Sequence, residues 1–283
     1  MALLCGRNER WVAREMDGAV PKLELRGLTH AFNAIDGQRG FVLENISIAI
    51  PERKFVCVLG PSGCGKSTLF NIVAGLLKPS EGEVYLDSAK ITGMVGCVGY
   101  MLQKDLLLPW RTVLDNVILG MELQGLPKAA ARERALPYLG RYGLAGYERQ
   151  YPAVLSGGMR QRAALLRTLL YDSQIILLDE PFAALDAQTR ATMQAWLLQI
   201  WADFAKTVVF ITHDVEEAVY LSDQIFVMTR RPGRLKAVID VPIARPRQRD
   251  AIDDADFVEI KRKCLDLLTE EGAPLDPAPA HAG

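Results

Sequence analysis

Eight consecutive residues constrain this chain more than anything else in it: Gly60-Pro61-Ser62-Gly63-Cys64-Gly65-Lys66-Ser67. They fit G-x-x-x-x-G-K-[ST] at every fixed position, a match that chance supplies in about one chain in a hundred of this length. The flanks strengthen it. KFVCVL before the loop is an apolar run of strand length, and STLFNIVAGLL after it has helical spacing. Glycines let successive backbone N–H groups turn toward one point, and the helix adds the positive end of its dipole. Lys66 can reach β- and γ-phosphates as a point charge, and the Ser67 hydroxyl can coordinate Mg²⁺.

The rest of the chain supplies a matching frame. Strand-like runs recur at residues 175–178, 208–212 and 224–228, separated by helical stretches. Such alternation predicts an α/β fold with a mostly parallel sheet. Upstream, LELRGL and FVLENISIAI read as strands, and residues 82–100 as short strands split by glycines. Between about residues 104 and 158 strand runs disappear. Leu114, Val117, Ile118, Met121 and Leu123 suit one helix face and residues 129–139 another, so this stretch reads as a helical insert. Residues 1–20 lack periodicity and read as a loose leader. The sequence thus divides into that leader, a domain over 21–240, and a segment over 241–283. The last contains the connector VPIARPRQR, an amphipathic helix with Phe257, Ile260, Leu265 and Leu268 near one face, and a Pro/Ala-rich tail expected to be disordered.

Composition removes several classes. With 49% hydrophobic and 24% charged residues the chain can bury a core, and a net charge of -1 offers no strong basic field for nucleic acid, a local basic patch aside. No apolar run approaches the roughly 18 residues needed to cross a bilayer. The N-terminus lacks the pattern of a signal peptide. Five cysteines, scattered and without a CxxC pair, argue against a disulfide framework or a zinc site and suit a reducing cytosol.

Further candidates stand at strand ends. Ile175-Ile-Leu-Leu-Asp179-Glu180 is an apolar strand closed by two carboxylates. In an open α/β sheet, ligands lie beyond the carboxyl ends of strands, so Asp179 can reach Mg²⁺ while Glu180 polarises a water in line with the γ-phosphate. Alone, such a run is usually structural; the phosphate loop upstream tips the balance. His213, in Phe210-Ile-Thr-His213-Asp214, could contact the γ-phosphate or hold that water, although a lone histidine is more often a surface residue. Gln103, ending GYMLQ, is a fourth strand-end candidate.

Leu155-Ser156-Gly157-Gly158-Met159-Arg160-Gln161-Arg162 resembles the ABC signature LSGGQ, with methionine at the fifth place. Read alone it is a flexible N-cap, yet it also puts a hydroxyl and glycine N–H groups at a positive helix end, a second phosphate-binding surface. Over about residues 21–240 the motifs stand in ABC ATPase order. The resemblance implies a P-loop NTPase ABC ATPase core with a β subdomain and a helical insert. It also implies Mg-ATP hydrolysis by a homodimer that traps ATP between copies. By position it assigns catalysis to Glu180, His213 and Lys66, and Mg²⁺ to Ser67, Gln103 and Asp179. Nucleotide contacts fall to Gly60, Pro61, Ser62, Gly63, Cys64, Gly65, Lys66, Ser67, Thr68, Gln103, Ser156, Gly157, Gly158 and Asp186 of the D-loop. Phe32 takes the place of the aromatic that stacks on adenine, often tyrosine in the family, and the extra segment AIDGQRG follows it.

The stretch from Gln103 to Asn116 is similar to that of nitrate/sulfonate/taurine importers and thiamine-pyrimidine-precursor importers, and ALLRTLL leans toward the latter. The resemblance then implies a peripheral subunit on the cytoplasmic face of the cell membrane. Its insert would receive a coupling helix from an integral-membrane permease served by a substrate-binding protein, unless the Leu/Pro/Trp cluster there is the insert's own core. The alternative is a soluble ABC-type ATPase not tied to transport; such proteins usually carry a long coiled-coil insert or two ATPase units, and neither is visible.

Overall fold

The computed structural model describes residues 20–33, 39–247 and 249–269; the expected leader, apart from Val20, most of AIDGQRG and the Pro/Ala-rich tail lie outside them. Two sheets share one helix. The first is antiparallel, in the order β2–β1–β4–β5, from β1 (Leu23–Asn33), β2 (Arg39–Ile50), β4 (Glu81–Leu86) and β5 (Ala89–Lys90). The second has the order β10–β9–β3–β8–β7–β6, from β3 (Phe55–Leu59), β6 (Gly99–Met101), β7 (Ile175–Asp179), β8 (Thr207–Thr212), β9 (Gln224–Met228) and β10 (Leu235–Asp240). Its pairings are parallel except between β9 and β10.

The apolar runs of the central strands are buried on both faces, as parallel strands require. Because side chains alternate, each strand feeds two cores. Val56 and Val58, Ile175 and Leu177, and Val209 and Ile211 pack toward the antiparallel sheet, with α1 (Lys66–Val73) between through Leu69, Phe70, Ile72 and Val73. Phe55, Cys57, Ile176, Leu178, Val208 and Phe210 face the other helices. The helix that opens the phosphate loop is thereby wedged between two sheets.

No strand occurs among the described residues between β6 and β7. That stretch holds α2 (Val113–Val117), α3 (Leu119–Leu123), α4 (Lys128–Arg141) and α5 (Gly157–Leu169). Leu114, Val117, Ile118 and Met121 are buried, but Leu123 is 79% exposed, because nine residues from Leu114 is two and a half turns. After α6 (Ala187–Phe204) and α7 (Val215–Leu221), the chain ends its described part in α8 (Ala255–Thr269). Phe257 and Cys264 are buried there and Ile260 and Leu268 pack against the core, whereas Leu265 is exposed. Cys264, seven residues from Phe257, occupies the apolar face that Leu265 was expected to share. Among the described residues no helix is long and apolar enough to cross a membrane.

Candidate nucleotide site

Parallel register sets the site. Leu59 pairs with Thr212, Asp179 with Ile211, and Met101 with Leu178, so these strands end along one edge of the sheet. The phosphate loop, Gln103, Glu180 and His213 follow those ends directly. There a cleft of about 460 Å³ opens, lined by Phe32, Val42, Ser62, Gly63, Gly65, Lys66, Ser67, Thr68, Gln103, Asp179, Glu180 and Arg231.

Gly65 precedes α1 with φ 106°, and a Cβ there would lie 2.7 Å from Leu43, so no other residue fits both the turn and the contact. Lys66 is buried, and its Nζ donates to the carbonyls of Gly60 at 2.7 Å and Pro61 at 3.0 Å. The Cys64 thiol is buried in the core between the sheets, and that burial pushes its pKa up. Cys64 can therefore meet a phosphate only through its backbone, and Gly60 and Pro61 do not line the cleft.

Asp179 is buried, and burial raises its pKa; the Ser67 hydroxyl pulls it down, the neighbouring Glu180 pushes it up, and the Tyr100 hydroxyl, 3.4 Å away, pulls it down. A hydroxyl, a carboxylate and the Gln103 carboxamide are hard oxygen donors. Among the described residues no cluster of three or more His, Cys, Asp or Glu could hold a cation by itself. Few protein ligands completed by substrate phosphates is the pattern of Mg²⁺, so the donor set fits it.

Glu180 sits at φ 43°, a region costly for a residue with a Cβ. Its N–H donates to the Ile211 carbonyl at 3.1 Å, and its Oε2 lies 3.2 Å from His213 Nδ1. His213 does not line the nucleotide cleft. It borders a small adjoining pocket with Glu180, Arg190 and Asp214. Glu180 thus stands between the two spaces.

Ser156, Gly157, Gly158 and Asp186 lie elsewhere. Ser156 caps α5, accepting from the Met159 N–H at 3.3 Å. Asp186 caps α6, accepting from the Thr189 N–H at 3.0 Å; the Thr189 side chain, and then that N–H, hold its carboxyl below the usual carboxylate range. Ser156 and Gly157 are exposed. In one copy, neither helix start lines the cleft that holds Lys66.

A family model described as ABC transporter matches residues 43–183. An ABC transporter ATP-binding protein of Methanocaldococcus jannaschii is 47% identical over 258 residues, 91% of this chain and 95% of that one. The chain belongs to the ABC transporter ATP-binding family. A taurine import ATP-binding protein of Rhizobium johnstonii is 46% identical over 214 residues, 76% of this chain and 82% of its own. Among solved structures, the dimeric post-hydrolysis ATP-binding cassette MJ0796, bound to ADP and phosphate, superposes with TM-score 0.68 at 31% identity, covering 78% of this chain and all of that one. This ABC subunit is accordingly an ATPase that uses ATP and Mg²⁺, on a P-loop α/β core. Sequence reasoning missed Arg231 and Val42 as lining residues. Arg231 lies in the turn Arg230-Arg231-Pro232-Gly233-Arg234, which matches no motif, and only tertiary packing brings it to the cleft.

Proposed function

We propose that this ABC ATPase energises an importer for a small polar solute of the nitrate, sulfonate and taurine class or a pyrimidine precursor of thiamine, from the cytoplasmic face of the membrane. The relatives named for taurine import support the class of solute. The single observation that carries the mechanism is the exposed start of α5. Ser156 and the glycines after it offer N–H groups and a helix dipole, yet they stand apart from the cleft of their own chain. A second copy supplies what each cleft lacks, with Ser156, Gly157 and Gly158 of one chain facing the phosphate loop of the other.

Within the closed pair, the loop amides and Lys66 hold the triphosphate, while Phe32 stacks on the base. Ser67, Gln103 and Asp179 hold Mg²⁺, which when bound neutralises charge on the β- and γ-phosphates. Glu180 takes the proton of a water whose oxygen attacks the γ-phosphorus, and the β–γ bridging oxygen departs with ADP. His213, beside Glu180, orients that carboxylate. Phosphate release removes contacts shared by both copies, and the pair opens.

The insert offers a docking face. Asn116 is fully buried, and its Nδ2 donates to the carbonyls of Leu108, Arg111 and Thr112 at 3.0, 3.1 and 3.0 Å. It pins the loop in a form that buries Leu107 and leaves Leu106 and Trp110 outside, Trp110 at 71% exposure. A permease coupling helix seats on that apolar face, and the permease in turn receives solute from a binding protein.

The test is assembly. Glu180→Gln with Mg-ATP is expected to sediment as a dimer. Adding Ser156→Arg should leave ATP bound and the chain monomeric. A double variant that dimerises like its parent removes α5 from the mechanism. Uptake of taurine against a pyrimidine precursor by vesicles carrying the whole transporter decides the solute.

A further inference from the structure

The nucleotide cleft contains a cation that the motifs leave unassigned. Arg231 lies in the turn between β9 and β10, and its exposed side chain lines the cleft. Its Nε donates to the Phe41 carbonyl at 3.1 Å. A Cβ built on Gly40, the cross-strand partner of Phe32, would stand 3.4 Å from Arg231 Nη2. The guanidinium therefore sits at the Phe32 end of the cleft. Lys66, bonded to the carbonyls of Gly60 and Pro61, marks the phosphate end.

The turn is braced against both elements that meet the nucleotide. Gly233 N–H donates to the Val42 carbonyl at 2.8 Å, and its carbonyl accepts from the Glu44 N–H at 3.0 Å. Inside the turn, Thr229 Oγ1 donates to the Pro232 carbonyl at 3.0 Å and accepts from the Arg234 N–H at 2.9 Å. Gly233 also packs so tightly on the phosphate loop that a Cβ there would come 2.2 Å from the Cys64 carbonyl oxygen. Arg231 is thus carried at a fixed place relative to both β2 and the loop.

A guanidinium is a planar fork of five donors. One is spent on Phe41, which sets the plane and leaves the others for a ligand. We propose that Arg231 recognises the nucleoside of ATP: its guanidinium contacts the acceptor atoms of the base and ribose at Phe32, so it sets affinity for the nucleoside rather than for the triphosphate. The inference rests on the cleft being the nucleotide site. Lysine, a point charge without the planar fork, cannot reproduce the contact.

Calorimetric binding of Mg-ATP and of Mg-tripolyphosphate to the full chain tests it. Arg231→Ala should weaken ATP binding by about tenfold or more, the effect of one charge-assisted hydrogen bond. Tripolyphosphate binding should stay within about twofold, and Arg231→Lys should restore less than half of the lost ATP affinity. Lys66→Ala serves as the reference and should weaken both ligands; if it weakens neither, the cleft itself is misassigned. If Arg231→Ala weakens both ligands equally, or neither, while Lys66→Ala weakens both, the nucleoside role is overturned. Should Arg231→Ala fail to fold, Arg231→Gln and Arg231→Lys are judged by the same ratio.

Discussion

Replacing Arg247 with methionine isolates what holds the helix behind His213. Helix α7 begins with Asp214 as its cap, next to His213, and ends at Leu221, where its last carbonyls have no partner within the helix. Arg247, buried, supplies one: Nη1 donates to the carbonyls of Val219 at 2.9 Å, Tyr220 at 3.0 Å and Ser222 at 2.7 Å. Nη2 reaches Val241 at 3.3 Å and Ile243 at 3.1 Å. Burial lowers the Arg247 pKa to about 10, so the group stays charged at neutral pH. Methionine keeps the apolar stem and removes the donor that serves three helix-end carbonyls. At about 1 kcal/mol each, after the relief of the arginine's own burial, the loss is about 3 kcal/mol. For a chain of this size that lowers the melting temperature by about 6–12 °C. Differential scanning calorimetry without nucleotide measures it. A shift under about 2 °C would show that water satisfies those carbonyls and would refute the reasoning.

Three more outcomes are expected. Glu180→Gln should retain Mg-ATP binding and lose about 10²–10⁴-fold in turnover, measured by steady-state phosphate release; turnover within a few-fold of the parent would deny Glu180 the role of base. Gly233→Ala must separate the β9–β10 turn from the phosphate loop, costing about 1–3 kcal/mol of stability and weakening ATP binding, read by melting curves and calorimetry; no change in either would mean the contact yields without consequence. Trp110→Ala should leave the ATPase of the isolated subunit intact but reduce its co-purification with the permease, and unchanged recovery would place the docking face elsewhere.

The centre of the parallel sheet is legible in the sequence because β3, β7 and β8 are nearly continuous apolar runs, with Asp179 closing β7 and Thr212 closing β8 at the shared edge. With the phosphate loop upstream, that pattern was enough to place Asp179 and Glu180 at the site. Exposure along the helices was less legible. Leu123 and Leu265 sit on periodic-looking runs, but which face turns inward depends on where α3 and α8 meet their neighbours, and Cys264 rather than Leu265 found the core. Arg231 was invisible for a different reason. Its position depends on bonds between residues about 190 apart in sequence, such as Arg231 to Phe41, and no local pattern records those.

The ammonium of Lys66, resting on the carbonyls of Gly60 and Pro61, makes loading of the cleft an exchange reaction. An incoming triphosphate competes with the loop's own oxygens for a cation that is already solvated by protein. Affinity then reflects a difference between two well-bonded states rather than the sum of the new contacts. Such a cleft stays open to unloading once the terminal phosphate has been cut away, because the lysine has somewhere to return to.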